Sequence, residues 1–204
     1  MRRSILIFFF VLAVLIISSS SQAQSAPRPN PEDMKRYWQP LVGNLPSALK
    51  QSFPDCCVEP TYSPTWNGYY PVRIGETADV TGDGVPEAVV YLGQGGASTD
   101  YVTIMRIERG EAVVAAFKEA DGKVGPKMLL QGASVTHGDS TGMLPREQAV
   151  YWMSTTTDGD GMADKCTVSA YRWNAQQRMF VWNGPLSKRI ATTHCPKKGT
   201  APGD

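Results

Sequence analysis

The sequence predicts a mainly β fold, two antiparallel sheets preceded by a short helical segment. Three observations predict it. Past residue 68, short apolar runs rich in Val, Ile, Tyr, Trp and Thr recur between Gly, Asp and Asn turns. The run Asp79-Val-Thr-Gly-Asp-Gly-Val-Pro-Glu87 leads straight into the apolar stretch Ala88–Leu92, and a looser copy lies at Thr156–Asp164. The composition beyond the first residues, rich in Gly, Pro, Thr and aromatics, favours strands and turns over helices.

Residues 1–23 read as a signal peptide: Arg2 and Arg3, an apolar core from Ile5 to Ile17, then small polar residues with Ser21 and Ala23 before the expected cleavage. That core is 13 residues long, short for a membrane span. The expected location is secreted or periplasmic. Removing 1–23 leaves 18 basic and 19 acidic residues. So balanced a chain has no general pull on nucleic acid or anionic lipid, and neither is expected as a partner. No membrane span is expected once the signal is cleaved.

Residues 24–68 form an N-terminal helical and loop segment. Asn30-Pro31-Glu32-Asp33 is a helix start: a capping side chain, Pro at the first position, two acids near the positive dipole end. Met34, Tyr37, Trp38 and Leu41 follow on one face, Pro40 disturbs the end, and a second helix is expected from Pro46 to Phe53. Residues 54–68 are Pro-rich and read as loop.

The β domain spans 69–195 and carries two repeats, 69–118 and 127–183. The first holds strands at Tyr69–Ala78, Val85–Leu92, Tyr101–Glu108 and Ala112–Phe117, with Arg109-Gly110 as a tight hairpin. The second holds Lys127–Thr136, Gln148–Thr155, Lys165–Trp173 and Arg178–Trp182, with a last turn at Asn174–Gln177. Residues 196–204 are polar and expected to be disordered. Cys56, Cys57, Cys166 and Cys195 suggest disulfides in an exported chain. Adjacent Cys56 and Cys57 strain against pairing with each other. Either they reach separate partners, or Cys166–Cys195 forms with the adjacent two left apart.

In the first acidic loop, oxygens fall at positions 1, 3, 5 and 9, with Gly at 6, as calcium requires. Asp79, Thr81, Asp83, the Val85 carbonyl and Glu87 are the candidate ligands. In the second they are Thr156, Asp158, Asp160, the Met162 carbonyl and Asp164. Val90 stands where an EF-hand needs its bidentate Glu, so neither loop is an EF-hand. Asp and Gly also favour plain turns, which is the competing reading.

The segment Asp79-x-Thr-Gly-Asp83-Gly-x-Pro-Glu87-Ala-Val-Val resembles the FG-GAP and VCBS repeats of integrin-like β-propellers, whose hairpin loops wrap calcium. The second loop also resembles thrombospondin type 3 repeats. Residues 79–117 and 133–195 look like secreted bacterial proteins with one such repeat. The resemblance implies two propeller-blade-like antiparallel sheets. Strands for two blades do not close a propeller, which needs about four, so face-to-face packing of the two sheets is expected.

Catalytic signals are fewer. Gly138-Asp139-Ser140-Thr141-Gly142 fits a nucleophile elbow, and Ala191–Cys195 looks like the histidine region of trypsin-like proteases. The order Ser140, then Asp158, Asp160 or Asp164, then His194 fits an α/β-hydrolase, but Pro145 and a strand follow where that fold needs a helix. The competing reading of 138–142 is a turn. His137 and His194 read as surface turn residues. Gly93–Ser98 lacks the Lys-Ser/Thr of a phosphate loop and reads as a loop between strands, with Gly93–Asp100 as a ligand contact. Trp66, Tyr69, Tyr70, Trp152, Trp173 and Trp182 suit either sugar stacking or the core. The expected role is a non-catalytic binding or structural module with calcium-stabilised hairpins and a protein or carbohydrate ligand. The alternatives are an extracytoplasmic hydrolase, through Ser140 or a carboxylate pair, and an inhibitor or accessory factor of another exported protein.

Overall fold

The computed structural model describes residues 36–55, 61–63, 68–70, 72–94, 99–133, 137–158 and 160–199. The signal segment, the Asn30 helix start, Met34, Cys56, Cys57, Trp66 and most of Gly93–Ser98 lie outside them.

The fold is mainly β. In chain order the strands are β1 (Thr61–Ser63), β2 (Gly68–Tyr70), β3 (Arg73–Ala78), β4 (Glu87–Gln94), β5 (Thr99–Glu108), β6 (Glu111–Val114), β7 (Ala116–Lys118), β8 (Val124–Pro126), β9 (Leu129–Ala133), β10 (His137–Leu144), β11 (Ala149–Thr157), β12 (Ala163–Asn174) and β13 (Met179–Trp182). The α-helices are α1 (Leu45–Ser52) and α2 (Gly184–His194). β1 and β2 form a separate hairpin. The other strands form one open sheet in the order β3-β4-β5-β9-β10-β11-β12-β13-β7-β8.

The two expected strand sets are thus fused. Long β5 joins them: its first half pairs with β9 (Thr99↔Gly132), and its second half turns through Arg109-Gly110 onto β6 (Glu108↔Glu111). Both turn residues have positive φ, 53° and 83°, as a hairpin matching strand twist requires. The far set closes back through the parallel pair β13–β7.

The sheet curves around one core that draws on both sets: Val89, Val102 and Ile104 from the first, Met143, Val150, Tyr171 and Phe180 from the second. Phe117 stacks at 5.4 Å on Phe180 and meets Tyr171 edge-on at 5.1 Å. On the outer face of β4–β6, α1 and the turn before it bury Trp38, Leu45 and Leu49 against Ala88, Val90 and Met105. Tyr37 is half exposed, so it does not share the buried face of Trp38. Pro40 lies in a 3-10 turn, Gln39–Asn44, that ends the first helical stretch.

On the outer face of β11–β12, α2 packs Leu186 and Ile190 against Ala149 and Ala170. Asn183 starts it, accepting from the Leu186 amide at 2.9 Å. Ser187 Oγ stitches it to β12, accepting from the Ala170 amide at 2.9 Å. Cys166–Cys195 forms the disulfide that ties its C-terminal end to β12. In the tail expected to be disordered, Lys198 pairs with Asp164 and the Gly199 amide donates to the Ala163 carbonyl at the start of β12.

β10 corrects the reading of 138–142 as a turn. The segment is strand, paired along its length with β11 from His137↔Thr156 to Leu144↔Ala149. Two flanking strands supply its backbone with partners, and that overrides the turn propensity of Gly-Asp-Ser-Thr-Gly. Gly142 is needed there, because a Cβ would run into the Tyr151 ring.

Candidate functional site

The first acidic loop, 79–86, is the β3–β4 turn; Asp79 and Asp83 cap its own amides at the surface, and Glu87 just after it is buried. Asp79 accepts from the Gly82 amide at 2.6 Å and from the Gly84 amide at 3.0 Å. Asp83 accepts from the Val85 amide at 2.9 Å. Glu87, 1% exposed, accepts from the Val80 and Thr81 amides at 3.0 and 3.1 Å and from the Thr81 hydroxyl at 3.3 Å. Arg106 Nε stands 3.9 Å from its other oxygen. Arg106 is itself buried, 4.2 Å over the Trp173 ring and 2.8 Å from Glu108. Burial pushes the Glu87 carboxyl up to about 7; the Val80 amide and Arg106 pull it down, and Asp83 and Asp79 push it up.

Two further contacts lock this loop. Trp38 Nε1 donates to the Pro86 carbonyl at 2.9 Å, and Gln148 Nε2 donates to the Thr81 carbonyl at 3.2 Å. Gly82 has φ +79°, and a Cβ on it would overlap the Gln148 side-chain amide.

The second loop is the β11–β12 turn and sits in solvent. Asp158 accepts from the Asp160 amide at 3.1 Å and the Met162 amide at 2.9 Å. Asp164 pairs with Lys198 at 2.8 Å. Thr156 lies within β11, its hydroxyl donating to the Lys165 carbonyl at 3.4 Å.

Among the described residues, no three His, Cys, Asp or Glu side chains are grouped so as to hold a metal ion. Asp79, Asp158 and Glu87 accept from backbone amides, Glu87 also from the Thr81 hydroxyl with Arg106 nearby, and Asp164 pairs with Lys198.

A pocket of about 520 Å³ opens where the outer face of β9–β11 meets the end of α2. Ser140, Met153, Thr155, Thr157, His194 and Pro196 are among its lining residues. Its size falls in the range of small-molecule sites. Cys195 is in its wall, so the disulfide fixes that wall to β12.

The structure brings Ser140 and His194 to this one pocket and leaves the expected acids elsewhere: Asp158, Asp160 and Asp164 belong to the second loop and its flank. Asp139 and His137 also line the pocket, but they alternate with Ser140 along β10. In the unbroken β10 register, Met143 faces the inner core and Leu144 faces α2, so Asp139 and His137 share the inner face and Ser140 the outer. His137 Nε2 lies 3.6 Å from buried Asp139. Ser140 stands mid-strand, and a nucleophile elbow needs a sharp strand-to-helix turn. Trp152 and Trp173 pack against the inner core, and Trp182 is 40% exposed.

The sequence reading missed Arg106, Gln148, Lys198 and α2. Arg106 carried a signal, a lone cation inside the apolar strand 102–107, which implies a buried partner. The Asn183-Gly-Pro185 start and the Leu186/Ile190 spacing announced α2. No family model matches the chain, and neither a curated protein nor a solved structure does.

Proposed function

We propose that this chain is an exported, non-catalytic binding module that takes a small polar ligand in the pocket between β10–β11 and the end of α2. The pocket itself carries the reading: about 520 Å³, floored by a paired sheet, hydroxyl-rich, its helix wall pinned by a disulfide. Export is supported by the Arg2–Ala23 pattern, and the disulfide is compatible with it. Among the described residues no helix is long and apolar enough to cross a membrane. The pocket lining contains no Trp, Tyr or Phe, so a sugar would bind there through hydroxyls and not by stacking. A Cβ at Gly138, which also lines the pocket, meets nothing within 4 Å. A thermal-shift screen of small polar compounds should give hits that Gly138→Leu abolishes while leaving the melting temperature unchanged. Hits that persist in Gly138→Leu would place binding elsewhere.

The second reading is a hydrolase, favoured by Ser140 and His194 lining the same pocket. Labelling by a fluorophosphonate probe, lost in Ser140→Ala, would establish it over the binding module. Calcium-stabilised hairpins of the FG-GAP or VCBS kind stay part of the proposal on the spacing of the two loops, with Asp79, Asp83 and the Val85 carbonyl, and Asp158, Asp160 and the Met162 carbonyl, as oxygens. Their internal capping weighs against this. A melting temperature unmoved by millimolar calcium would remove calcium from the reading.

A further inference from the structure

We propose that Asp139 and Trp152 form an internal binding site for one water molecule on the inner face of β10–β11. Among the described residues, four buried side-chain atoms have no hydrogen-bond partner, and two of them are Asp139 Oδ1 and Trp152 Nε1. The strand register makes these two neighbours. Asp139 stands opposite Ser154 and Thr141 opposite Trp152, so Asp139 and Trp152 are a diagonal pair on one face of adjacent strands. Diagonal pairs lie about 7–8 Å apart, within reach of an aromatic side chain.

The chemistry of the pair selects the guest. An indole N–H only donates, and a carboxylate only accepts. A cation would suit Asp139 and be repelled by the indole N–H. An anion would suit Trp152 and be repelled by Asp139. A molecule that accepts from one and donates to the other satisfies both, and water is the smallest that does so. Nothing else on the page serves these atoms. Asp139 Oδ2 stands 3.6 Å from His137 Nε2, and the Asp139 side chain is 2% exposed, so bulk solvent does not reach its other oxygen. The Thr141 hydroxyl beside them is committed to the Leu130 carbonyl at 3.2 Å. Ser154, opposite Asp139, puts a hydroxyl on the same face, and a buried water commonly takes about three partners.

The two partners belong to different walls. Asp139 lines the large pocket, and Trp152 lines a second one of about 250 Å³ with Tyr101, Lys127 and Leu130. One bound water thus ties a wall of each pocket to the other, where the apolar packing of Met143 and Val150 gives way to polar side chains. The site does not depend on either pocket taking a ligand.

In a crystal structure of the mature protein, one ordered water should lie about 2.7–3.2 Å from both Trp152 Nε1 and Asp139 Oδ1. In solution, the Trp152 indole proton should show a cross-peak to bound water in a water-selective nuclear Overhauser experiment, and Asp139→Ala should abolish it. A direct Trp152–Asp139 hydrogen bond, or no density between the two atoms, would overturn the site. A cross-peak that survives Asp139→Ala at full strength would overturn the part assigned to Asp139. The crystal structure needs no variant, so the site is tested even where Asp139→Ala does not fold.

Discussion

The two acidic loops share a sequence pattern and differ in almost every physical respect. The first is anchored to the core: Glu87 is 1% exposed, six hydrogen bonds from its own backbone amides and Trp38 close it, and Arg106 stands behind it. The second is a solvent-facing turn closed by Asp158 and a surface ion pair. One Asp-Gly pattern thus produces either a structural hub or a solvent-exposed turn, and the decision lies with what packs against it. A cation faces each loop, Arg106 buried at the first and Lys198 exposed at the second.

Breaking the counter-charge gives the sharpest contrast. Glu87→Ala strips the Val80 and Thr81 amides and the Thr81 hydroxyl of their buried acceptor, leaves Arg106 to Glu108 alone, and should cost about 3 kcal/mol in urea unfolding. Asp158→Ala should cost about 1 kcal/mol, since water replaces its amide bonds. Equal losses would erase the distinction between the loops.

Reducing Cys166–Cys195, 29 residues apart, should cost about 3–4 kcal/mol by loop entropy. Hydrogen exchange should quicken around α2 and the second loop while the first loop keeps its protection.

Glu87 also predicts a pH dependence opposite in sign to that of Asp164, whose exposed carboxyl Lys198 holds below its usual value. Its carboxyl sits at about 7 in the folded chain, against about 4.5 when exposed. Between those values the folded state holds the proton that the unfolded state has lost, so stability is full below about 4.5 and falls as pH rises through 7. The loss is roughly 3 kcal/mol at most, and Glu87→Gln should flatten it. A profile equally steep in Glu87→Gln assigns the slope to other groups.

Smaller effects compare the glycines. Gly82→Ala meets both a positive φ and the Gln148 amide and should cost about 2–3 kcal/mol. Gly161→Ala meets only the positive φ, with open space around it, and should cost about 1 kcal/mol in the same melt. Trp38→Phe, which strands the Pro86 carbonyl, should fall between them at about 1–3 kcal/mol.

Local chemistry was legible where it acts locally. Alternating apolar runs located most of the strands, Arg109-Gly110 its hairpin, and Asp79–Glu87 its turn. The β10 strand was not legible, because Gly-Asp-Ser-Thr-Gly becomes extended only between β9 and β11. The helix α2 is legible from its Asn183 cap and Pro185. The pocket could not be read, since Ser140, Thr155 and His194 meet only when α2 docks.

By itself the sequence determined the β-rich class, the turn positions and the segments able to form an amphipathic face, since these follow from residue type and period. Tertiary structure alone decided three things: that the two strand sets share one sheet, that Glu87 turns inward to its own amides and Arg106, and that Cys166 pairs with Cys195 at a pocket wall. Each joins groups far apart in the chain, and short-range propensity carries no information about which distant partner will satisfy a buried charge or cover an apolar face.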